Sequence, residues 1–204
     1  MGSFRTLPRS FFRRSAVELA PDLLGRYVVR ELAGERLAVR IVETEAYLGA
    51  EDRASHAWNG RRTERTRALY RPGGFAYVYF IYGMHHMLNV VAGTSADGSA
   101  VLVRAGEPAR GVATMLAARG LEGSPRPGDV AGGPGRLCRA LTIDRSANGV
   151  PLWRGPLRIA HGEPVAPGDV AVGPRVGVGY AGAAAAWPLR FAVRGNPHVS
   201  RPRL

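Results

Sequence analysis

The chain has 204 residues, 46% of them hydrophobic, which suits one domain with a core that needs neither disulfides nor a structural metal. All 28 basic residues are arginine, set against 16 acidic ones for a formal net charge of +12, and such an excess favours a polyanionic partner because each neutralised phosphate releases counterions. With no lysine there is no side-chain amine for a Schiff base; with Cys138 alone and five histidines there is no disulfide framework, zinc cage or zinc-deaminase centre to build.

Abundant Ala, Gly, Val, Pro and Arg fit a codon bias, which explains arginine in place of lysine but not the surplus of cations. At the N-terminus Arg13-Arg14 precede only a short apolar stretch broken by Glu18, Pro21 and Asp22, unlike a signal peptide. Residues 1–14 read as a flexible arm ahead of a single domain spanning 1–204. Ser15 caps a helix over 16–24, closed by Gly25, with Pro21 disturbing its last turn. Residues 27–32 and 36–47 read as two strands around a turn at Ala33-Gly34.

The second of these strands carries the first chemical signal. Side chains alternate faces along a strand, so Leu37, Val39 and Ile41 share a face that should continue as Glu43, Glu45 and Tyr47. A carboxylate on a core face is costly unless paired or hydrogen-bonded. The arginines can neutralise both glutamates structurally; alternatively one of them, tuned by burial, is a general base toward water.

Residues 49–72 form a long, arginine-rich polar loop containing His56, a surface histidine or, given its neighbours, a donor and flat wall for a base. Residues 75–82 and 87–92 suggest a hairpin turning at Gly83. The apolar run 75–92 contains His85, His86 and Asn89 and is too polar to cross a bilayer, so a soluble, cytoplasmic protein is expected. Tyr79 and Tyr82 are placed on opposite strand faces. Tyr82 and Met84 sit where hairpin tips carry small polar residues, so either the tip folds back into the core, the commoner outcome, or it projects as an apolar wedge of the kind minor-groove proteins insert. Asn89, on the partner strand, can face the same cavity as the carboxylates. Arg104 interrupts the apolar strand 100–104 and calls for a buried partner, either Glu43, Glu45 or a phosphate.

Residues 108–119 look helical, 122–128 a surface loop. Gly132-Gly133-Pro134-Gly135 opens a helix holding Cys138 and Leu141; Gly133, Gly135 and Arg136 can present N–H groups and a guanidinium to phosphate, or simply make a tight turn. Short apolar runs broken by Gly and Pro lead to a last strand at 189–193. Strands outnumber helices and most connections are hairpin-like, which gives an α+β fold with a curved, mainly antiparallel sheet, flanking helices and a projecting β-hairpin.

RIVETEAYLGAED from Arg40, SHAWNGRRTERT from Ser55, YVYFIYGMHHMLNVV from Tyr77, LVRAGEP from Leu102, GGPGRLCRAL from Gly132, RVGVGYAG from Arg175 and LRFAVRGNPHVS from Leu189 resemble, in colinear order, the alkyladenine (N-methylpurine or 3-methyladenine) DNA glycosylase family. The resemblance implies a monofunctional glycosylase of base excision repair. Such an enzyme flips alkylated or deaminated purines from double-stranded DNA and hydrolyses the N-glycosidic bond without cofactor or metal, as a monomer at the nucleoid. It implies Glu45 as the general base, with Arg104 helping to position the water. Tyr47 would stack on one face of the base, His56 and Tyr79 on the other, with His56 also hydrogen-bonding it. Asn89 would crowd the amino group of normal guanine, Tyr82 with Met84 would fill the gap in the duplex, and Gly133, Gly135 and Arg136 would bind phosphate. His85-His86 and the alanine run from Ala183 to Ala186 depart from the family pattern. Two other readings stay open: a non-catalytic, basic nucleic-acid-binding protein, and a metal-dependent hydrolase using Glu43, Glu45 and His56.

Overall fold

The computed structural model describes residues 4–94 and 97–204. Helix α1 (Ala16–Leu23) begins with a reciprocal capping box. The Ser15 hydroxyl accepts from the Glu18 N–H and the Glu18 carboxylate accepts from the Ser15 N–H. Ala16, Leu19, Ala20 and Leu23 form its buried face. Pro21 lies inside the helix without breaking it.

Strands β1 (Tyr27–Leu32) and β2 (Glu35–Tyr47) form the expected hairpin. They are joined by β3 (Ala76–Ile81), β4 (His85–Val91), β5 (Ala100–Arg110), β6 (Leu157–Ala160), β7 (Val170–Gly173) and β8 (Arg190–Val193). The order is β3-β4-β5-β2-β1-β6, with β8 pairing both β7 and the second half of β2, and the pairings are antiparallel. With α2 (Val112–Arg119) and α3 (Pro134–Ala140) on its flank, this is a single α+β domain with a curled antiparallel sheet.

Strand β2 is central, and its register with β5 shifts on either side of Glu43, which pairs with Ala105, so that Val42 and Arg104 are passed over in that ladder. A bulge re-aims side chains, and here it exchanges the faces of β2. Leu37, Val39 and Ile41 face the main core, but beyond the bulge Ala46 joins that core and the Thr44 hydroxyl donates to Ala20 O of α1. Glu43, Glu45 and Tyr47 therefore point away from the core face begun by Leu37, not along it as simple alternation predicts. On β5, Val101 and Val103 face the core while Leu102 and Arg104 face the opposite side with them.

Three further expectations are corrected. Residues 108–110 are strand, not helix. Pro108 sits opposite Val39 at a register shift, a place that tolerates its missing N–H, and Gly111, at φ +72°, breaks the strand before α2. The N-terminal segment from residue 4 is not a free arm: Leu7, Phe11 and Phe12 are buried in the main core, Thr6 bridges to Ala160, and Arg14 O accepts from Gly93 N–H. Two adjacent phenylalanines outweigh the flanking arginines. The 75–92 hairpin is longer than expected, because β4 begins at His85, paired with Ile81, leaving Tyr82-Gly83-Met84 as a three-residue turn. Tyr82 belongs to that turn, at φ +56°, rather than to a strand face opposite Tyr79.

The turn projects: Tyr82 and Met84 are 76% and 68% exposed. The other face of the sheet is covered by the 54–70 loop, whose Ala57, Ala68 and Leu69 pack on Tyr77, Val91 and Ala100. No helix among the described residues is long and apolar enough to cross a membrane.

Candidate active site

The site lies on the face to which the bulge turns Glu43, Glu45 and Tyr47. Both glutamates are fully buried, and their partners separate them. Glu43 is saturated. Its Oε1 accepts from Arg104 Nε (2.9 Å), Arg190 Nε (2.7 Å) and Ser200 Oγ (3.0 Å), and its Oε2 accepts from the Ser200 N–H (2.7 Å). Glu45 has lighter company: its Oε1 accepts from the Val176 N–H (2.7 Å) and lies 3.3 Å from Arg104 Nη1, and its Oε2 accepts from the Tyr47 hydroxyl (2.9 Å). Burial raises the Glu45 carboxyl above its ordinary value, against the pull of Arg104, the Val176 N–H and Tyr47, and the neighbouring Glu43 charge adds to the rise.

Arg104 has the partners its place in an apolar strand demanded, Glu43 and Glu45 together, and its Nη2 donates to Ser200 Oγ (3.1 Å). Burial works against its charge, but the two carboxylates outweigh burial and hold it above the usual guanidinium value. Burial, reinforced by Glu45, keeps the Tyr47 phenol protonated well above its usual range.

Above Glu45 opens a cavity of about 250 Å³ lined by Tyr47, His56, Tyr79, Tyr82, Asn89 and Arg104 among others. The structure thus brings these six residues around one space, drawn from β2, β3, β4, β5, the hairpin tip and the 49–72 loop. Glu45 itself lies just behind the wall, bonded to Tyr47 and near Arg104. His56 Nδ1 pairs with the Tyr77 hydroxyl (2.8 Å), and the imidazole stands edge-on to Tyr79 with ring centroids 4.5 Å apart. Burial, with the charges of Arg65 and Arg61, lowers the His56 pKa to about 4, so the ring is neutral at physiological pH. Burial likewise raises Tyr79, and raises Tyr77 to about 12. Asn89 is held through its amide donors by Tyr77 O (3.1 Å) and Met87 O (3.3 Å).

The glycine turn sits on the other flank of the hairpin. Pro134 reaches the cavity above Glu45, while Gly133, Gly135, Arg136 and Met84 line a neighbouring cleft of about 800 Å³ with Arg119, Arg139, His85 and His86. The hairpin packs tightly here, since a Cβ on Gly135 would stand 2.9 Å from the His85 ring. Arg136 donates to Gly128 O (3.1 Å) and stays half-exposed.

Five contributors escaped the sequence reading. Asp52 and Arg175 form a fully buried bidentate pair (2.5 and 2.9 Å) that ties the His56 loop to the segment carrying Val176, and Arg175 lies 4.7 Å over the Tyr47 ring. Arg190 and Ser200 hold Glu43, and Tyr77 holds His56. Asp52 is one of three acids in an arginine-rich loop, with nothing local to mark it out, and the others depend on chain crossings that no local pattern records. Glu43, Glu45 and His56 do not assemble as a ligand set, and among the described residues no three His, Cys, Asp or Glu side chains are placed to share a metal ion.

Comparison with known proteins places this geometry in context. The family model described as methylpurine-DNA glycosylase matches residues 10–197. Three proteins, each named "Putative 3-methyladenine DNA glycosylase", are similar over nearly the whole chain. One from Myxococcus xanthus is 48% identical, covering 96% of this chain and 93% of its own. One from Methanocella arvoryzae is 43% identical, covering 96% of each. One from Clostridium botulinum is 42% identical, covering 96% of this chain and 98% of its own.

Proposed function

Because the chain belongs to the methylpurine-DNA glycosylase family, and is therefore a DNA glycosylase that hydrolyses N-glycosyl bonds, we propose that it takes alkylated or deaminated purines out of double-stranded DNA into the Tyr47–His56–Tyr79 cavity. There it cleaves them with a water activated by Glu45. The observation that carries this reading is the contrast between the saturated Glu43 and the lightly held Glu45 beside a base-sized cavity.

Water on the Glu45 side attacks C1′ of the deoxyribose. The C1′–N bond breaks with its electron pair going to the purine, the new C1′–O bond forms, and Glu45 takes the water's proton. The sugar passes through an oxocarbenium-like state that the buried carboxylate stabilises, and Arg104 helps position the water. Tyr47 stacks on one face of the base, His56 and Tyr79 on the other; a neutral His56 can both donate and accept a hydrogen bond. Alkylation makes the purine cationic, so it leaves as a neutral molecule and stacks well on electron-rich rings. Asn89, whose amide donates to two carbonyls, crowds the amino group of normal guanine in this reading.

Tyr82 and Met84, exposed at the hairpin tip, enter the minor groove and fill the space vacated by the base. Gly133, Gly135 and Arg136 bind phosphate beside them. The enzyme works as a monomer at the nucleoid. Lacking lysine, it forms no lysine Schiff base and leaves the abasic site uncleaved.

The test is release of free base, in EDTA, from duplexes carrying methylated purines, hypoxanthine or ethenoadenine. Base release without strand scission is expected. Salt-sensitive binding with no base released from any duplex would instead favour a non-catalytic binding protein, and robust borohydride trapping on damaged DNA would contradict the water mechanism.

A further inference from the structure

Beyond the base cavity, the 49–72 loop encloses a second one of about 470 Å³, lined by Arg53, Arg61, Arg65, Trp58 and Tyr180. The two spaces share a wall, because Ser55, His56 and Tyr180 line both. We propose that this second cavity is a nucleotide subsite. It takes the phosphodiester adjoining the extruded nucleotide and stacks the neighbouring base of the same strand on Trp58.

Charge identifies the phosphodiester. Three guanidiniums border one cavity, and among the described residues none of them is within ion-pair distance of an acid. Of the loop's three acids, Asp52 pairs with Arg175 and Glu64 with Arg67, and Glu51 is within ion-pair distance of none of the three arginines. Cations gathered without counter-charge repel one another until an anion enters, and guanidinium is the side chain whose fork matches a phosphate. The loop is already shaped for this. The Thr66 hydroxyl accepts from the Thr63 N–H (2.8 Å), the Thr63 hydroxyl accepts from the Thr66 N–H (3.3 Å), and the Ser55 hydroxyl accepts from the Ala57 N–H (3.1 Å), so these hydroxyls hold the loop's own turns.

The aromatic rings identify the base. Trp58 is 46% exposed and Tyr180 65%, both large rings left in water beside arginines. Arg53 lies 5.5 Å over the Trp58 ring and steadies it, and the Tyr180 hydroxyl donates to Ala54 O (3.3 Å), which fixes that ring at the boundary between the cavities. Basic grooves interleaved with aromatic platforms hold single-stranded nucleic acid without regard to sequence, because every base has a π-face. A protein partner would leave the three guanidiniums needing acids of its own, whereas DNA brings phosphate and base together. The strand would therefore be unstacked at two successive nucleotides, the lesion in one cavity and its neighbour in the next. This inference rests on the extrusion of the lesion proposed above.

The test uses the full chain and duplexes carrying a 2′-fluoro hypoxanthine nucleotide, whose electron-poor sugar resists hydrolysis. Affinity is measured with every base present, and again with an abasic analogue on the 5′ or the 3′ side of the lesion. Trp58→Ala should weaken binding to the complete duplex about tenfold, the scale of one base–aromatic stack. Trp58→Phe should restore most of it. With the stacked neighbour removed from the DNA, wild type should lose the same factor and Trp58→Ala nothing further. Arg61→Ala should flatten the salt dependence by about one released counterion.

Unchanged binding by Trp58→Ala, or a loss of the same size whichever neighbour is missing, overturns the subsite while leaving lesion binding intact. A wild-type protein that binds damaged and undamaged duplexes equally overturns the extrusion reading as well.

Discussion

Glu43 and Glu45 lie two residues apart on one face of β2, both fully buried, and the molecule treats them oppositely. Around Glu43, two guanidiniums, an N–H and a hydroxyl compensate the charge, and those donors come from β5, β8 and the segment after it. Around Glu45 there are one N–H, one phenol and a more distant guanidinium, and burial raises its carboxyl above the ordinary value. A carboxylate held by that many charged donors is a joint between strands. One whose proton affinity is raised, beside a cavity, is fit to take a proton from water.

Neutralising the two carboxylates separates these roles most strongly. Glu43→Gln should cost about 3–5 kcal/mol of stability, since it leaves Arg104 and Arg190 facing each other in the interior without their shared counter-charge. Glu45→Gln removes a charge that burial already disfavours, so its stability should stay within about 1 kcal/mol of wild type. Denaturant melts of the two variants check this, and equal losses would erase the distinction.

The pH response sharpens it. A general base with a raised pKa should make base release fall, as acid is added, with a midpoint above the ordinary carboxylate value. His56, neutral down to about 4, contributes nothing to that limb. The stability linkage of His56 has a definite sign. Its pKa is lowered from 6.5 unfolded to about 4 folded, so its contribution is intact above pH 6.5 and is lost as pH falls toward 4. A folded-state imidazole titration by NMR, with a midpoint near 4, and an acid stability slope reduced in His56→Asn would bear this out; a midpoint near 6.5 would show that the ring is solvated.

The hairpin tip gives the smallest effect and the opposite pattern. Tyr82 holds a left-handed conformation with three-quarters of its surface in water, a local cost without a folding gain. Tyr82→Asn, which suits that conformation, should raise stability by about 0.5–1 kcal/mol while weakening binding to lesion duplexes. A variant that melts earlier and binds as well as wild type would make the tip structural.

The sequence was most readable where order is local. The Ser15 cap, the β1–β2 turn and the 75–92 hairpin follow from neighbouring residues, and so does the anomaly of apolar residues at a hairpin tip. It was least readable where a partner distant in the chain decides. The bulge at Glu43 is set by β5 and exchanges the faces of β2, so alternation put Glu45 on the wrong side. Phe11 and Phe12 went unweighed beside the arginines, although aromatic burial outweighs nearby surface charge. Asp52 looked like part of a solvated loop until Arg175, far along the chain, closed on it.

The most direct measurement is single-turnover base release from a methylated-purine duplex, in EDTA, by Glu45→Gln at a temperature where it is folded and binds the duplex as wild type does. The account predicts a rate reduced by about 10²–10⁴-fold, the range for a lost general base. Release at the wild-type rate would show that Glu45, like Glu43, is part of the scaffold, and that the water is activated elsewhere.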